Sequence, residues 1–107
     1  FGHAIERCQG YGDWLHGEAV AAGMIMAARL SELDEADVER LRRLVEAAGL
    51  PVAPPAIVAA DWMSAMGMDK KVQGRKLRFV LLDAIGSSRI TSEYDSARLD
   101  ELVGNAA

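Results

Sequence analysis

One long segment, residues 16–33, constrains the fold more than any other part of the sequence. Its letters, HGEAVAAGMIMAARLSEL, are small or apolar almost throughout and include no proline. A helix that is apolar on nearly all sides has to be buried by neighbouring elements. Small residues that would let those neighbours approach closely are Ala19, Ala21, Ala22 and Gly23. The segment therefore predicts a central, buried helix.

Three other helices are predicted around it from apolar residues at helical spacing. The first covers residues 1–9, the second follows a cap at Asp34 and ends before Gly49, and the third covers residues 57–66. The residues expected to face inward are Val38, Leu41, Leu44, Val45 and Ala48 in the second helix and Trp62, Met63 and Met66 in the third.

The pattern changes towards the end of the chain. Residues 77–82 and 89–94 alternate or run apolar, as strands do, and the letters GSS from Gly86 predict the turn between them. A last helix follows, capped by Asp95 or Ser96. The predicted fold is mainly α, with a β-hairpin before the last helix.

Composition excludes several classes of protein. The 107 residues fit one small domain, and a net charge of -4 lacks the basic footprint of nucleic-acid-binding proteins. The longest apolar run, residues 19–28, is far below the roughly 20 residues of a membrane helix, and no basic signal-peptide region opens the chain. The single cysteine, Cys8, has no disulfide partner, so we expect a small apolar packing role and a reducing cytosol.

His3 and His16 flank a glycine-rich turn and are the candidates for site chemistry. Histidine is the commonest neutral metal ligand, and a helix N-terminus favours the neutral ring. A histidine at a helix start is also a common capping or packing residue, and the spacing alone leaves both interpretations open. Glu6 and Glu18 are candidate partners, although Glu18 would point to another helix face. Because a tight zinc site needs three or more protein ligands, a complete site needs further residues.

A second polar cluster lies in the segment MDKKVQGRKLRF. Its basic residues are Lys70, Lys71, Arg75, Lys76 and Arg78. Such a loop could hold a phosphate or carboxylate through charge-assisted hydrogen bonds. The alternative, which the residues by themselves favour, is a solvated loop with a basic strand edge that discourages aggregation.

Five motifs follow one another along the chain. They are FGHAIE at residues 1–6, GYGDWLHGEAVAAGM at 10–24, GLPV at 49–52, DKK at 69–71 and LRFVLLDAIG at 77–86. In this order and approximate spacing they resemble the 3-dehydroquinate synthase family of bacterial shikimate-pathway enzymes. The pair GHAIE and LHGEAVAxGM is specific for dehydroquinate synthase-like sugar-phosphate cyclases.

The resemblance implies a two-domain enzyme, with an NAD-binding α/β domain before a mainly helical C-terminal domain. Residues 1–107 would be a partial C-terminal metal- and substrate-binding domain, in keeping with the lack of a glycine-rich dinucleotide fingerprint. The family's enzyme, a carbon-oxygen lyase, converts 3-deoxy-D-arabino-heptulosonate 7-phosphate to 3-dehydroquinate and phosphate on the route to chorismate and the aromatic amino acids. NAD serves there as a transient oxidant.

The resemblance also implies roles for four residues. His16 matches a ligand of Zn²⁺ or Co²⁺, and the family's other ligands, a histidine and a glutamate, lie upstream of the matched region. His3 matches an active-site histidine suited to contacting the substrate phosphate or relaying a proton. Lys70 and Lys71 match a substrate-contacting position, and either could fill it.

Two other functions stay open. One is another sugar-phosphate cyclase or a metal-dependent alcohol dehydrogenase of related fold, and the other is a non-catalytic helical oligomerisation module. We expect the complete protein to be a cytoplasmic homodimer. The isolated chain is expected to be inactive and to self-associate through exposed apolar helix faces.

Overall fold

The computed structural model describes residues 1–10, 13–67 and 77–105. In these ranges the elements are α1 (Gly2–Cys8), α2 (His16–Leu30), α3 (Glu35–Ala47), α4 (Ala59–Ala65), β1 (Phe79–Ala84), β2 (Ser87–Thr91) and α5 (Ser96–Asn105). The predicted mainly helical fold with a hairpin before the last helix is confirmed. None of the helices described is long and apolar enough to cross a membrane.

The central helix is α2, which packs against α1, α3, α5 and β1. Its buried residues are Ala19, Ala22, Met26 and Leu30 on the side of the main core and Ala21 and Ile25 on the side of α3. A third side carries Val20 and Met24, both exposed. The prediction of a helix buried nearly all round is wrong for this side, because no element in the described ranges covers it.

The main core lies between α1, α2, α4, α5 and β1. Its buried members are Ala4, Ile5, Ala19, Ala22, Met26, Leu30, Ile57, Trp62, Phe79, Leu81, Leu99 and Val103. Trp62 is fully buried, and Met63 and Met66 pack against the cluster as predicted. The ring of Phe79 stacks on that of Phe1, with centroids 5.0 Å apart. These contacts join the hairpin to the helices.

The end of α2 comes at Leu30, earlier than the sequence predicts. Ser31 caps the helix and Glu32 follows with a φ of 62°, a left-handed conformation that stops helical hydrogen bonding. The Ser31 hydroxyl donates to the Ala27 carbonyl at 2.5 Å and accepts from the Leu82 N–H at 2.8 Å. The helix end is thereby tied to β1.

On α3, Asp34 stands at the predicted N-cap position, although its side chain makes no capping hydrogen bond. Val38 and Val45 are buried as predicted. Leu44 and Ala48 are exposed instead of buried, so those parts of the predicted stripe are wrong. Residues seven apart share one helix face, whereas the next residue along is turned by about 100°. Leu44 therefore faces away from the side that Val38 and Val45 bury.

The connector before α4 is extended. Pro54 and Pro55 disfavour helical backbone in the residues before them, and Val58 is still extended, with ψ of 147°. Val58 is the N-cap, so α4 starts at Ala59, later than predicted, and Ile57 enters the main core from the connector.

The hairpin has a shorter loop than predicted: β1 begins two residues later than predicted and β2 two residues earlier. Phe79 pairs with Thr91, and the turn falls at Ile85 and Gly86, where Gly86 has a φ of 91°. Ser87, predicted in the turn, belongs to β2. Glycine at a left-handed position suits the two-residue loops that join antiparallel strands.

The last helix, α5, is capped by Asp95. Its Oδ1 accepts hydrogen bonds from the N–H groups of Ala97 at 3.0 Å and Arg98 at 3.2 Å. A side-chain oxygen that binds the first free N–H groups is the usual N-cap. Of the two predicted capping residues, Asp95 is therefore confirmed.

Candidate functional site

A groove with a volume of about 880 Å³ opens between α1, α2, α3 and the hairpin. The side of α2 that faces it carries His16, Val20, Met24 and Ala27. These residues are three or four positions apart, so they form one continuous helix face. His16 stands at the end of an otherwise apolar wall.

His16 and Glu6 form the central polar contact of the groove. The Nδ1 atom of His16 lies 2.8 Å from Oε1 of Glu6. The His16 side chain is 71% exposed, whereas that of Glu6 is 14% exposed. Because a carboxylate only accepts hydrogen bonds, a neutral His16 ring carries its proton on Nδ1 and keeps the lone pair on Nε2. Glu6, which the sequence marks as a candidate co-ligand of a metal, contacts the ring of His16 itself.

The two residues meet because α1 and α2 pack with little space between their backbones. A Cβ on Gly23 would lie 2.7 Å from the Gly2 nitrogen, and a Cβ on Gly2 would lie 3.3 Å from the Ala19 carbonyl oxygen. Only glycines allow this approach, which brings the Glu6 end of α1 beside the start of α2. Small residues of α2 were predicted to allow close packing, and Ala19 and Gly23 do so against α1.

The first turn of α2 is fixed by Glu18. Its Oε1 accepts a hydrogen bond from the Leu15 N–H at 2.9 Å, as the third residue of a capping box does. Glu18 therefore contacts the backbone before His16 and makes no hydrogen bond with the imidazole. This agrees with the expectation that Glu18 points to another face.

His3 faces the same groove from α1. It is exposed and lies one helical turn from Glu6, so the two side chains share a face of α1. His3, Glu6 and His16 all line the groove. The structure thus brings together the two histidines that the sequence singled out.

The metal-ligand set is incomplete in the described part of the chain. Within residues 1–10, 13–67 and 77–105, no three histidine, cysteine, aspartate or glutamate side chains gather as a metal site. The available donor, Nε2 of His16, still has the chemistry of a metal ligand, because histidine ligands usually donate their other N–H to a carboxylate. The donors present fit one ligand position.

The DKK lysines, Lys70 and Lys71, lie outside the described residues. Two other cationic side chains, Arg40 of α3 and Arg78 before β1, line the groove. Arg78 belongs to the basic cluster noted in the sequence, whereas Arg40 lies on α3, outside that cluster. Arg40 and Arg78 therefore give the groove a positive charge of its own.

The sequence predicts exposed apolar helix faces but does not identify the residues that form this one. Val20, Met24, Leu44, Val80 and Ile85 are exposed and line the groove. The available signal was the spacing of Val20 and Met24, which follow His16 at four-residue intervals on one helix face.

Cys8 has a packing role, as expected. It packs against the main core, and its Sγ lies 3.7 Å from the Asp61 carbonyl oxygen. Burial, followed by the Asp61 charge, raises the pKa of the Cys8 thiol. A raised thiol pKa lowers the thiolate fraction and hence reactivity.

Comparison with known proteins gives consistent matches. The family model for the 3-dehydroquinate synthase C-terminal domain matches residues 1–72. A 3-dehydroquinate synthase of Laribacter hongkongensis is 50% identical over 107 residues, covering 96% of this chain and 30% of the relative. One of Neisseria meningitidis serogroup A is 53% identical over 100 residues, covering 90% of this chain and 28% of the relative. The chain thus spans less than a third of these relatives.

A solved structure shares the fold. It is 2-deoxy-scyllo-inosose synthase complexed with carbaglucose-6-phosphate, NAD⁺ and Co²⁺, which matches with a TM-score of 0.75 at 24% sequence identity. The match covers 97% of this chain and 32% of that one.

Proposed function

The chain belongs to the 3-dehydroquinate synthase C-terminal family, and we propose that it forms part of the metal- and substrate-binding domain of a 3-dehydroquinate synthase. The complete enzyme would convert 3-deoxy-D-arabino-heptulosonate 7-phosphate to 3-dehydroquinate and phosphate, as a carbon-oxygen lyase. The observation that carries the proposal is the contact between His16 Nδ1 and Glu6 Oε1 at 2.8 Å, because it leaves Nε2 as the nitrogen for a metal.

We propose that His16 holds Zn²⁺ or Co²⁺ through Nε2. When bound, such an ion polarises a substrate hydroxyl and stabilises the charge that develops as the alcohol is oxidised. His16 holds one coordination position from the first residue of α2. The remaining ligands would come from parts of the complete protein outside the described ranges. In support, the solved structure of the same fold was obtained with Co²⁺.

His3 is proposed as the catalytic residue of the described groove. From the exposed face of α1 its imidazole would contact the phosphate end of the substrate or move a proton to it. Lys70 and Lys71 are proposed to neutralise the anionic substrate from the DKK motif. Arg78, which lines the same groove, would add positive charge on that side.

The NAD-binding domain would lie in the part of the protein that precedes this chain in its relatives. This proposal rests on the length of those relatives, of which the chain covers about 30%, and on the NAD⁺ in the solved structure of the same fold. Residues 1–107 would be one partial C-terminal domain. The NAD site would be absent from the chain itself, so the isolated chain would be inactive.

The complete protein is proposed to be a cytoplasmic homodimer. The exposed apolar residues that line the groove, among them Met24 and Leu44, support contacts with further protein and self-association of the isolated chain. The half-buried Cys8, with its raised thiol pKa, suits a reducing compartment. Light scattering on the complete protein tests the homodimer, and light scattering on residues 1–107 tests the self-association of the isolated chain.

One observation favours a second candidate function. The solved structure with the same fold is a different synthase, which was bound to carbaglucose-6-phosphate. A complete protein that acts on a hexose phosphate would therefore keep the same groove and change the substrate.

The test uses the protein from its complete reading frame. Phosphate release is followed with the heptulosonate phosphate and, separately, with glucose 6-phosphate, with NAD and divalent metal supplied or withheld. The proposal predicts release from the heptulosonate phosphate only when both NAD and metal are present. Release from glucose 6-phosphate alone would establish the second candidate, and no release from either would contradict both.

A further inference from the structure

We propose that Glu6 is a positioning residue, which fixes the ring of His16 so that Nε2 presents its lone pair in one direction to a divalent cation. The proposal rests on the proposed role of His16 as a metal ligand. It adds a function for a carboxylate that does not itself need to touch the metal or the substrate.

The first argument is the difference in exposure between the two partners. His16 is 71% exposed, so packing alone leaves its ring free to rotate, whereas Glu6 is 14% exposed and is held by its surroundings. A hydrogen bond of 2.8 Å between them therefore restricts the rotation of the exposed His16 ring to the orientation that the less exposed Glu6 carboxylate sets. Fixing the ring beforehand lowers the entropy lost when a metal binds.

The second argument is the rigidity of the element that carries Glu6. Its neighbours on α1, Ala4 and Ile5, are buried in the main core. The start of α1 is fixed by the close approach of Gly2 to Gly23. Glu6 thus projects from a helix that is held at its start and in its middle, and its carboxylate is a stable reference for the His16 ring.

The third argument is that the two carboxylates near His16 have different contacts and different roles. Glu18 accepts the Leu15 N–H at 2.9 Å and so fixes where α2 begins. Glu6 contacts the imidazole at Nδ1. One glutamate thereby sets the backbone from which His16 projects, and the other sets the rotation of its ring and the nitrogen that carries the proton.

The experiment measures Co²⁺ binding to the complete protein, without substrate. The dissociation constant for Co²⁺ and the visible absorption spectrum of bound Co²⁺ are compared for the unchanged protein, Glu6→Ala, Glu6→Gln and His16→Ala. Glu101→Ala, an exposed position on α5, is the matched control. Thermal unfolding of each metal-free variant shows whether the fold is retained.

A positioning role predicts that Glu6→Ala weakens Co²⁺ binding about 10- to 100-fold, the range found when such partners are removed. Glu6→Gln keeps an oxygen that can accept a hydrogen bond from the Nδ1–H group. This variant should therefore lose less affinity for Co²⁺ and give the same Co²⁺ absorption spectrum as the unchanged protein. Glu101→Ala should bind as the unchanged protein does. The comparison of alanine with glutamine separates orientation from a general loss of stability.

Other outcomes overturn the proposal in distinguishable ways. If His16→Ala binds Co²⁺ normally, His16 is not a ligand and the proposed function of this site fails as well. If His16→Ala loses Co²⁺ while both Glu6 variants bind normally, only the positioning role fails. If both Glu6 variants lose Co²⁺ as completely as His16→Ala, Glu6 is itself a ligand, which also contradicts a positioning role.

Discussion

Gly23 in the middle of α2 lies so close to Gly2 at the start of α1 that a Cβ on Gly23 would be 2.7 Å from the Gly2 backbone nitrogen. No side-chain rotation can relieve that contact, since both atoms belong to the backbone or its first substituent. The approach of these two helices places Glu6 beside His16, so the packing of two glycines determines the geometry of the groove's polar end.

Replacing Gly23 with alanine should therefore destabilise the protein, by about 1–3 kcal/mol as other overpacked substitutions do. Gly17→Ala is the control in the same helix, because a Cβ there meets no atom within 4 Å. Because Gly17 lies in the first turn of α2, alanine there should leave stability unchanged or raise it by less than about 1 kcal/mol. Urea unfolding measures both, and equal effects of the two substitutions would contradict the packing account.

Glu32 is the one described residue other than glycine with a positive φ, 62°. Left-handed backbone costs roughly 1–2 kcal/mol for residues with a Cβ, and glycine usually occupies this position after a helix. Glu32→Gly should raise the free energy of unfolding by about 1 kcal/mol. Glu35→Gly, within the first turn of α3, should lower it by a similar amount. A loss of stability in Glu32→Gly would show that the left-handed conformation is wrong.

The Ser31 hydroxyl joins α2 to β1 by accepting the Leu82 N–H at 2.8 Å. Ser31→Ala leaves that N–H without its partner, which should cost about 1–3 kcal/mol. Hydrogen exchange at the Leu82 amide should accelerate in the variant. Ser64→Ala, at an exposed position on α4, should leave both stability and exchange close to their original values. An unchanged Leu82 rate in Ser31→Ala would contradict the bridge.

On α3, hydrogen bonds and charge from Arg42 lower the pKa of Glu39 to about 2. Because this folded-state pKa lies below the ordinary value of 4.5, the pair stabilises the fold above about pH 4.5 and loses that contribution as the pH falls towards 2. Both side chains are partly exposed, so salt should weaken the effect. A carboxyl titration by NMR should find the low value and its return towards normal in Arg42→Gln. Titration of Glu39 near 4.5 in the unchanged protein would contradict the pairing.

Much of the fold could be predicted because it depends on local periodicity. The spacing of Val38 and Val45, the cap at Asp34 and the apolar letters of α2 each report on their own element. The end of α2 could not be found in this way, since Glu32 is an unusual residue for a left-handed position. The hairpin loop was predicted too long because serines also favour turns, whereas the loop uses only Ile85 and Gly86 and the serines belong to β2.

The candidate site likewise has features that the sequence predicts and features that depend on packing. His3 and His16 stood out because histidine is rare in the chain and carries the chemistry of a ligand. The contact of Glu6 with His16 depends on two helices whose spacing is set by Gly2 and Gly23, and a sequence gives the candidates for such a contact without their distance. The exposure of Leu44 is equally a result of which elements surround α3.

The central claim is that His16 supplies a metal ligand to an active site, and the rate of phosphate release by the complete protein carrying His16→Ala tests it most directly. The heptulosonate phosphate is the substrate, with NAD and a fixed, low concentration of Zn²⁺, and Glu101→Ala is assayed beside it. Loss of several kcal/mol of transition-state stabilisation from the metal predicts a rate about 1,000-fold lower for His16→Ala, with Glu101→Ala unchanged. A His16→Ala rate within about threefold of the unchanged protein, which corresponds to less than 1 kcal/mol, would contradict the claim.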